Sequence, residues 1–171
     1  MTIIPADTPK LDELQNLEPG ELFFCQDSGE ACWGIWIDRH PDRSRVSFLA
    51  LKTIEGEKFR NGQLEQYFDD TSVLRYGKDY SIDIDISRPC ILRNTRRELQ
   101  PLRYLIGSNV CGIALLTLGQ RNAESFIFVP AQNKLKKPAG EMASFQHWKI
   151  WASSAERARQ GGKPLLDFGD A

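Results

Sequence analysis

The sequence predicts an α+β domain: a bent antiparallel sheet or incomplete β-barrel, with a short N-terminal helix and a C-terminal helix packed on the sheet. Three observations support it. Three apolar runs separated by turn residues lie between Gly20 and Lys52, apolar and polar residues alternate from Tyr80 to Ser87, and a helical stripe begins at Phe145. With 171 residues, 41% hydrophobic and 26% charged, the chain has the size and composition of one globular domain, 1–171.

The first predicted element is a leading helix over residues 8–17. Thr8 and Pro9 have the residue types of an N-cap and a first helical position. Leucine then recurs every third residue, and Pro19-Gly20 ends the run (Leu11, Leu14 and Leu17). We therefore expect a short amphipathic helix before the β-rich core, which spans residues 20–131.

The core opens with a predicted β-meander of three strands, Glu21–Gln26, Cys32–Asp38 and Arg45–Lys52. If Ser28-Gly29 forms a two-residue hairpin turn, Phe24 opposes Trp33 and Cys25 faces Cys32. A three-residue turn with Gly29 at a bulge would separate the two cysteines.

Both faces of this meander are apolar, which predicts a small barrel or a covered sheet. One face is expected to place Val46, Phe48 and Ala50 beside the odd-numbered residues of the second strand. The other face carries a second set: Phe23, Cys25, Cys32, Gly34, Trp36, Leu49 and Leu51.

Beyond the meander, residues 64–68 have helical spacing, and residues 80–87 alternate as in a strand. Two apolar runs, Cys111–Leu118 and Glu124–Val129, predict a hairpin buried on both faces. A helix over residues 142–160 is expected to cover the sheet with Phe145 and Trp148, and the tail, 161–171, is expected to dock. The sequence shows no internal repeat.

Charge is segregated in the middle of the chain. Asp83 and Asp85 point the same way from one strand, about 6.6 Å apart, which suits a divalent cation or acid–base chemistry. An arginine-rich segment follows, including Arg93, Arg96 and Arg97. Ion pairing between the two segments explains the same residues without a ligand, and we take it as the main role.

No catalytic residue, metal site or cofactor is predicted. Cysteine catalysis needs a nearby base, but the chain has two histidines, one in a loop and one off the apolar stripe. The Cys25-x6-Cys32 spacing does not suit zinc. Phe23 and Trp36 are assigned to the core, with a groove floor or an interface anchor as alternatives.

The net charge of −1 and the pI near 6.1 argue against nucleic acid as a partner of the whole molecule. The N-terminal residues lack the pattern of a signal peptide, and no window approaches the ~20 apolar residues of a membrane span. We expect a cytoplasmic protein with reduced cysteines and no membrane association.

Residues 19–52 resemble the first meander of small, SH3-like β-barrel immunity proteins from bacterial toxin systems. The resemblance rests on Pro19-Gly20-Glu21-Leu22-Phe23-Phe24, the turn at Gly29, Trp33-Gly34-Ile35-Trp36-Ile37 and Phe48. It covers about a fifth of the chain, and its motifs are shared by other SH3-like barrels. It implies a non-enzymatic protein that binds another protein.

The function predicted from the sequence is therefore a cytosolic, non-enzymatic binding module with a protein partner. Its candidate binding residues are Asp83, Asp85, Arg93, Arg96, Arg97, Phe23 and Trp36. Two alternatives stay open: a carboxylate-dependent hydrolase or nucleotide-handling enzyme that uses Asp83 and Asp85, and nucleic-acid binding through the segment Arg88–Arg103.

Overall fold

A computed structural model describes residues 9–42, 44–93, 99–118 and 123–169. Its strands are β1 (Lys10–Glu13), β2 (Leu22–Asp27), β3 (Glu30–Arg39), β4 (Arg45–Glu55), β5 (Leu64–Phe68), β6 (Ser72–Gly77), β7 (Ser81–Ile84), β8 (Cys90–Leu92), β9 (Tyr104–Gly107), β10 (Cys111–Leu118), β11 (Ala123–Val129), β12 (Lys134–Lys136), β13 (Met142–Phe145), β14 (Trp148–Trp151) and β15 (Leu166–Phe168). Helix α1 (Ser154–Ala158) and two 3₁₀ turns, Leu14–Asn16 and Pro130–Gln132, complete the described elements.

The fold is mostly β, so the predicted α+β class is wrong. The residues of the expected leading helix, 8–17, form β1 and a 3₁₀ turn as far as they are described. Those of the expected C-terminal helix, 142–160, form β13, β14 and the five-residue α1, and residues 64–68 form β5. No helix in the described parts of the chain is long and apolar enough to cross a membrane.

The described residues form three sheets, and two of these have the same strand order. The first sheet runs β1-β6-β2-β3-β4-β5, and the second runs β8-β13-β9-β10-β11-β12. In each sheet, the strand that comes last in the chain inserts between the first two: β6 lies between β1 and β2, and β13 lies between β8 and β9. The next strands, β7 and β14, pair with each other in a third sheet, β7-β14-β15. The chain thus contains two copies of one seven-strand unit, repeat 1 (10–84) and repeat 2 (90–151).

The first sheet is strongly curled. In a flat sheet β5 and β6 would lie four strand spacings apart, about 19 Å. Only residues 69–71 separate them in the chain, so the Cα atoms of Phe68 and Ser72 are at most about 15 Å apart. The sheet must therefore bend toward closure, which is compatible with the expected small barrel.

The first hairpin has the predicted two-residue turn. Ser28 and Gly29 have φ angles of 50° and 83°, as the twist of a tight hairpin requires. Phe24 lies opposite Trp33, and Cys25 lies opposite Cys32, so this part of the predicted register is confirmed. All four cysteines are free thiols.

The predicted register between the second and third strands of the meander is wrong by one residue. Trp36 pairs with Phe48 and Ile35 with Leu49, because three register shifts interrupt the ladder between β3 and β4. Phe48 therefore packs with Phe23 instead of Ile35. The alternation of apolar and polar residues could not predict this register, because both faces of the sheet are apolar.

In the described parts of the chain, three hydrophobic clusters hold the fold together. The first lies on the inner, concave side of the first sheet and contains Phe23, Trp36 and Phe48. The second joins the repeats: Leu22, Ile35 and Leu49 pack with Tyr104, Ile113, Phe128, Trp148 and others. The third lies on the other face of the second sheet and includes Leu105 and Met142. Both faces of the meander thus contribute residues to buried clusters.

The long-range contacts of residues 10–17 and 145–168 explain why the predicted helices do not form. Leu14 donates its N–H to the Thr71 carbonyl and accepts a hydrogen bond from Trp36 Nε1, both at 3.0 Å. Trp148 lies in a strand, donates its Nε1–H to the Leu102 carbonyl and stacks on Phe168 at 4.0 Å. The tail therefore docks, as predicted, but on a strand.

Candidate functional site

The acidic strand is partnered by its own sheet and by α1. Asp83 on β7 lies opposite Lys149 on β14, and its carboxylate is 2.8 Å from the Arg157 guanidinium. Asp85 follows β7 and accepts hydrogen bonds from Ser87, which lower the pKa of its carboxyl group. Among the described residues, the ion-pair partner of Asp83 is therefore Arg157 of α1, which does not belong to the predicted arginine segment.

The predicted arginine partners lie elsewhere. Arg93 is exposed and follows β8, in the second sheet, whereas Asp83 belongs to the third sheet. Arg96 and Arg97 lie outside the described residues. Arg88, the first arginine of that segment, does act on the acidic residues, because its charge adds to the Ser87 hydrogen bonds in lowering the pKa of the Asp85 carboxyl group.

The described residues offer neither a candidate metal site nor, at Cys25 and Cys32, an activated cysteine nucleophile. They contain no group of three or more His, Cys, Asp or Glu side chains that could hold a metal ion. Burial raises the pKa of the Cys25 thiol to about 11 and that of Cys32 to about 12. Both thiols are therefore protonated at neutral pH and poor nucleophiles.

Phe23 and Trp36, the two aromatic candidates, belong to the interior. Phe23 has no exposed surface and contacts Phe48 edge to face, with ring centroids 5.3 Å apart. Trp36 is 4% exposed. In this structure both residues stabilise the concave side of the first sheet and present no surface to a partner.

A row of apolar side chains crosses four strands on the outside of the first sheet. Leu11 pairs with Leu74, Leu74 with Phe24, and Phe24 with Trp33, so β1, β6, β2 and β3 each contribute one side chain. Leu11 is 77% exposed and Leu74 36%, while Phe24 and Trp33 are half-buried. We call these four residues the outer row.

The outer row is held in shape by aromatic contacts and continues a buried interface. The centroid of the Trp33 ring lies 5.2 Å from the ring centroid of Phe24 and 5.0 Å from that of Tyr76. Leu22 precedes Phe24 by two residues on β2, and Ile35 follows Trp33 by two residues on β3, so both lie on the same face as the row. Both are fully buried against repeat 2. The row is therefore a partly exposed continuation of a sheet face that packs on another sheet, and Trp33 itself packs against that buried cluster.

Polar side chains border the outer row. Lys52 lies opposite Trp33 on β4, and Gln26 follows Phe24 by two residues on β2; both are exposed. Glu13 lies two residues from Leu11 on β1. An apolar centre with a polar rim is the usual anatomy of a protein interface.

Repeat 2 has an equivalent row with different chemistry. Its positions are occupied by Ile91, Ala143, Ile106 and Cys111, which pair in the same order across β8, β13, β9 and β10. This row has no aromatic side chain. The sequence could have revealed the outer row once the two-residue turn was assumed, because that turn already pairs Phe24 with Trp33; the position of Leu74 required the crossover of β6.

Comparison with known proteins found no matching family model, no matching curated protein and no matching solved structure.

Proposed function

We propose that this chain is a protein-binding module and that its partner docks on the outer row. The observation that carries the proposal is the row itself: two exposed aliphatic and two half-buried aromatic side chains that extend an already buried sheet face. Trp, Tyr and Phe are enriched at the energetic centres of protein interfaces because they bury a large area with little loss of side-chain entropy.

The shape of the surface favours a protein over a small ligand. Four adjacent strands span about 14 Å across the row, and the row lies on the outer face of a curled sheet. Small-molecule sites are concave and enclose most of the ligand surface. A partner with its own apolar face and polar rim would match this surface better.

The partner class we propose is a bacterial toxin, which this chain would neutralise by binding. The resemblance of residues 19–52 to immunity proteins supports this narrower proposal, and that segment contains Phe24 and Trp33 of the outer row. The order β6-β2-β3-β4-β5, in which the last strand pairs with the first of a meander, also suits an SH3-like barrel. Fold likeness alone does not determine function, so the surface must be tested directly.

The test compares two matched charge substitutions. Leu74 lies in the outer row and is 36% exposed; Ile106 lies in the row of repeat 2 and is 38% exposed. Leu74→Asp would place an unpaired carboxylate in the proposed interface, and Ile106→Asp would place one outside it. Each tagged variant is used to capture proteins from the source cells, and the captured protein is then purified and titrated.

We expect the wild type and Ile106→Asp to capture the same protein, and Leu74→Asp to bind it at least about tenfold more weakly. Circular dichroism and melting temperature establish that both variants fold. Equal affinity of the two variants for the captured protein would contradict the proposal.

A further inference from the structure

The first sheet has two edges, and they differ. At β5, the adjoining Gln63 forms a bridge with Leu116 of β10, so repeat 2 reaches this edge. Strand β1 ends the sheet on the other side, and no strand among the described residues pairs with its outer side. An unpaired strand carries free backbone donors and acceptors that can add another strand.

The backbone of β1 shows which groups point away from the sheet. Leu14 donates its N–H across the ladder to Thr71, in register with the pairing of β1 and β6. Hydrogen-bonding direction alternates along an antiparallel strand, so the N–H and C=O groups of Leu11 and Glu13 point outward. The Glu13 N–H, one of these outward groups, is already bonded to the Asp12 side chain at 2.8 Å, so pairing at this edge uses the groups of Leu11.

The sequence of β1 is complementary to itself about Leu11. An antiparallel pairing of two copies centred on this residue would join the two Leu11 residues by two backbone hydrogen bonds. The same register places Lys10 of each copy opposite Asp12 of the other, in a non-hydrogen-bonded pair, where side chains come closest. Opposite charges at such positions are stabilising.

We propose that β1 pairs with β1 of a second copy of this chain about a two-fold axis at Leu11. A two-fold axis perpendicular to the sheet keeps the same face outward in both copies. It would join the two outer rows into one continuous row of eight side chains, with the Leu11 residues at the centre. The paired edge lies beside the docking face, so this inference does not depend on the proposed partner.

The expected dimer is weak. Strand β1 has four residues, and contacts limited to one short edge fall at the small end of specific interfaces. Asp12 also pairs with Arg75 at 3.0 Å within its own chain, so its carboxylate is already oriented on β1. We therefore expect association that depends on protein concentration and can be trapped by a cross-link.

Two chains that each carry one exposed cysteine, besides the buried Cys25 and Cys32, test the register. In a background of Cys90→Ser and Cys111→Ser, which removes the exposed thiols, Leu11→Cys would place two thiols across the axis. Glu13→Cys on the same strand would place them about 14 Å apart, too far for a disulfide. We expect mild oxidation to cross-link the Leu11→Cys chain into dimers and to leave the Glu13→Cys chain monomeric.

Sedimentation of the full-length chain provides the second readout. Lys10→Asp would place an aspartate opposite Asp12 of the other copy at both ends of the pairing, and this repulsion should weaken dimerisation by about tenfold or more. The control is Ile86→Ser, which changes a 70% exposed residue outside β1 and should leave dimerisation unchanged. A wild type that stays monomeric across the concentration range would overturn the proposal, as would equal cross-linking at positions 11 and 13.

Discussion

Gly34 and Gly112 occupy the same position in the two repeats. Gly34 pairs with Phe23 and follows Trp33 of the outer row, and Gly112 pairs with Leu105 and follows the equivalent Cys111. Neither position has room for a side chain. A Cβ at Gly34 would lie 2.6 Å from a ring atom of Phe23, and one at Gly112 would lie 1.9 Å from the Phe128 carbonyl oxygen.

Alanine at either glycine should destabilise the protein. Gly34→Ala forces a buried ring to move and should cost about 2 kcal/mol, whereas Gly112→Ala collides with backbone and should cost more. Chemical denaturation measures both. Gly29→Asn is the control, because Asn tolerates the positive φ of this turn and an added Cβ meets nothing there. If Gly112→Ala unfolded at the wild-type denaturant concentration, the close approach of β10 and β11 would be refuted.

The four thiols should divide into two pairs by reactivity. Cys90 and Cys111 are exposed, while Cys25 and Cys32 are buried. We expect a thiol reagent at pH 8 to modify two cysteines rapidly in the native protein and all four in denaturant. Peptide mapping identifies the modified residues. Rapid native labelling of Cys25 or Cys32 would show that the first hairpin is not buried as described.

The buried thiols should also make stability fall at alkaline pH. Burial raises the pKa of Cys25 to about 11 and of Cys32 to about 12, above the ordinary value of about 8.5. The unfolded chain therefore loses these protons first, so their contribution is full below about pH 8.5 and is lost as pH rises through the folded-state pKa values. Denaturation between pH 7 and 10.5 should show a steeper loss for the wild type than for the Cys25→Ala/Cys32→Ala double variant; parallel curves would contradict this assignment.

The ion pair between Asp83 and Arg157 should contribute little to stability. Both side chains are substantially exposed, 38% and 47%, so solvent screens their attraction. We expect Asp83→Asn and Arg157→Gln each to change the free energy of unfolding by less than about 1 kcal/mol. A double-mutant cycle should give a coupling of about 0.5 kcal/mol that decreases with added salt. A coupling of zero at low salt would mean that Arg157 is not the partner of Asp83 in solution.

Local signals in the sequence predicted the hairpins well. The pair Ser28-Gly29 fixed the register of β2 and β3, and the two apolar runs from Cys111 to Val129 correctly predicted β10 and β11. Turn chemistry and strand alternation are local, so they can be read without knowing the rest of the fold.

The predicted helices failed because contacts distant in sequence override local spacing. Leucines at positions 11, 14 and 17 suit a helix, yet Leu14 is held by Thr71 and Trp36 from other strands. Phe145 and Trp148 have helical spacing but belong to successive strands separated by a short connection. Apolar residues three positions apart on either side of a bend between strands give the same sequence pattern as one face of a helix.

The repeat and the candidate site were missed for the same reason. All four positions of the outer row hold different residues in repeat 2, Trp33 corresponding to Cys111 for example, so the repeat is visible mainly in the strand order. The outer row needs β6 to return between β1 and β2, a long-range pairing that no local motif specifies.

Hydroxyl-radical footprinting of the chain with and without its purified captured partner tests the docking claim most directly, because oxidation reports side-chain exposure residue by residue. We expect Leu74, Phe24 and Trp33 to be oxidised in the free chain and protected in the complex, while Ile106 and Cys111 stay reactive in both. Unchanged oxidation of the outer row in a saturated complex would contradict the claim that this row is the docking surface.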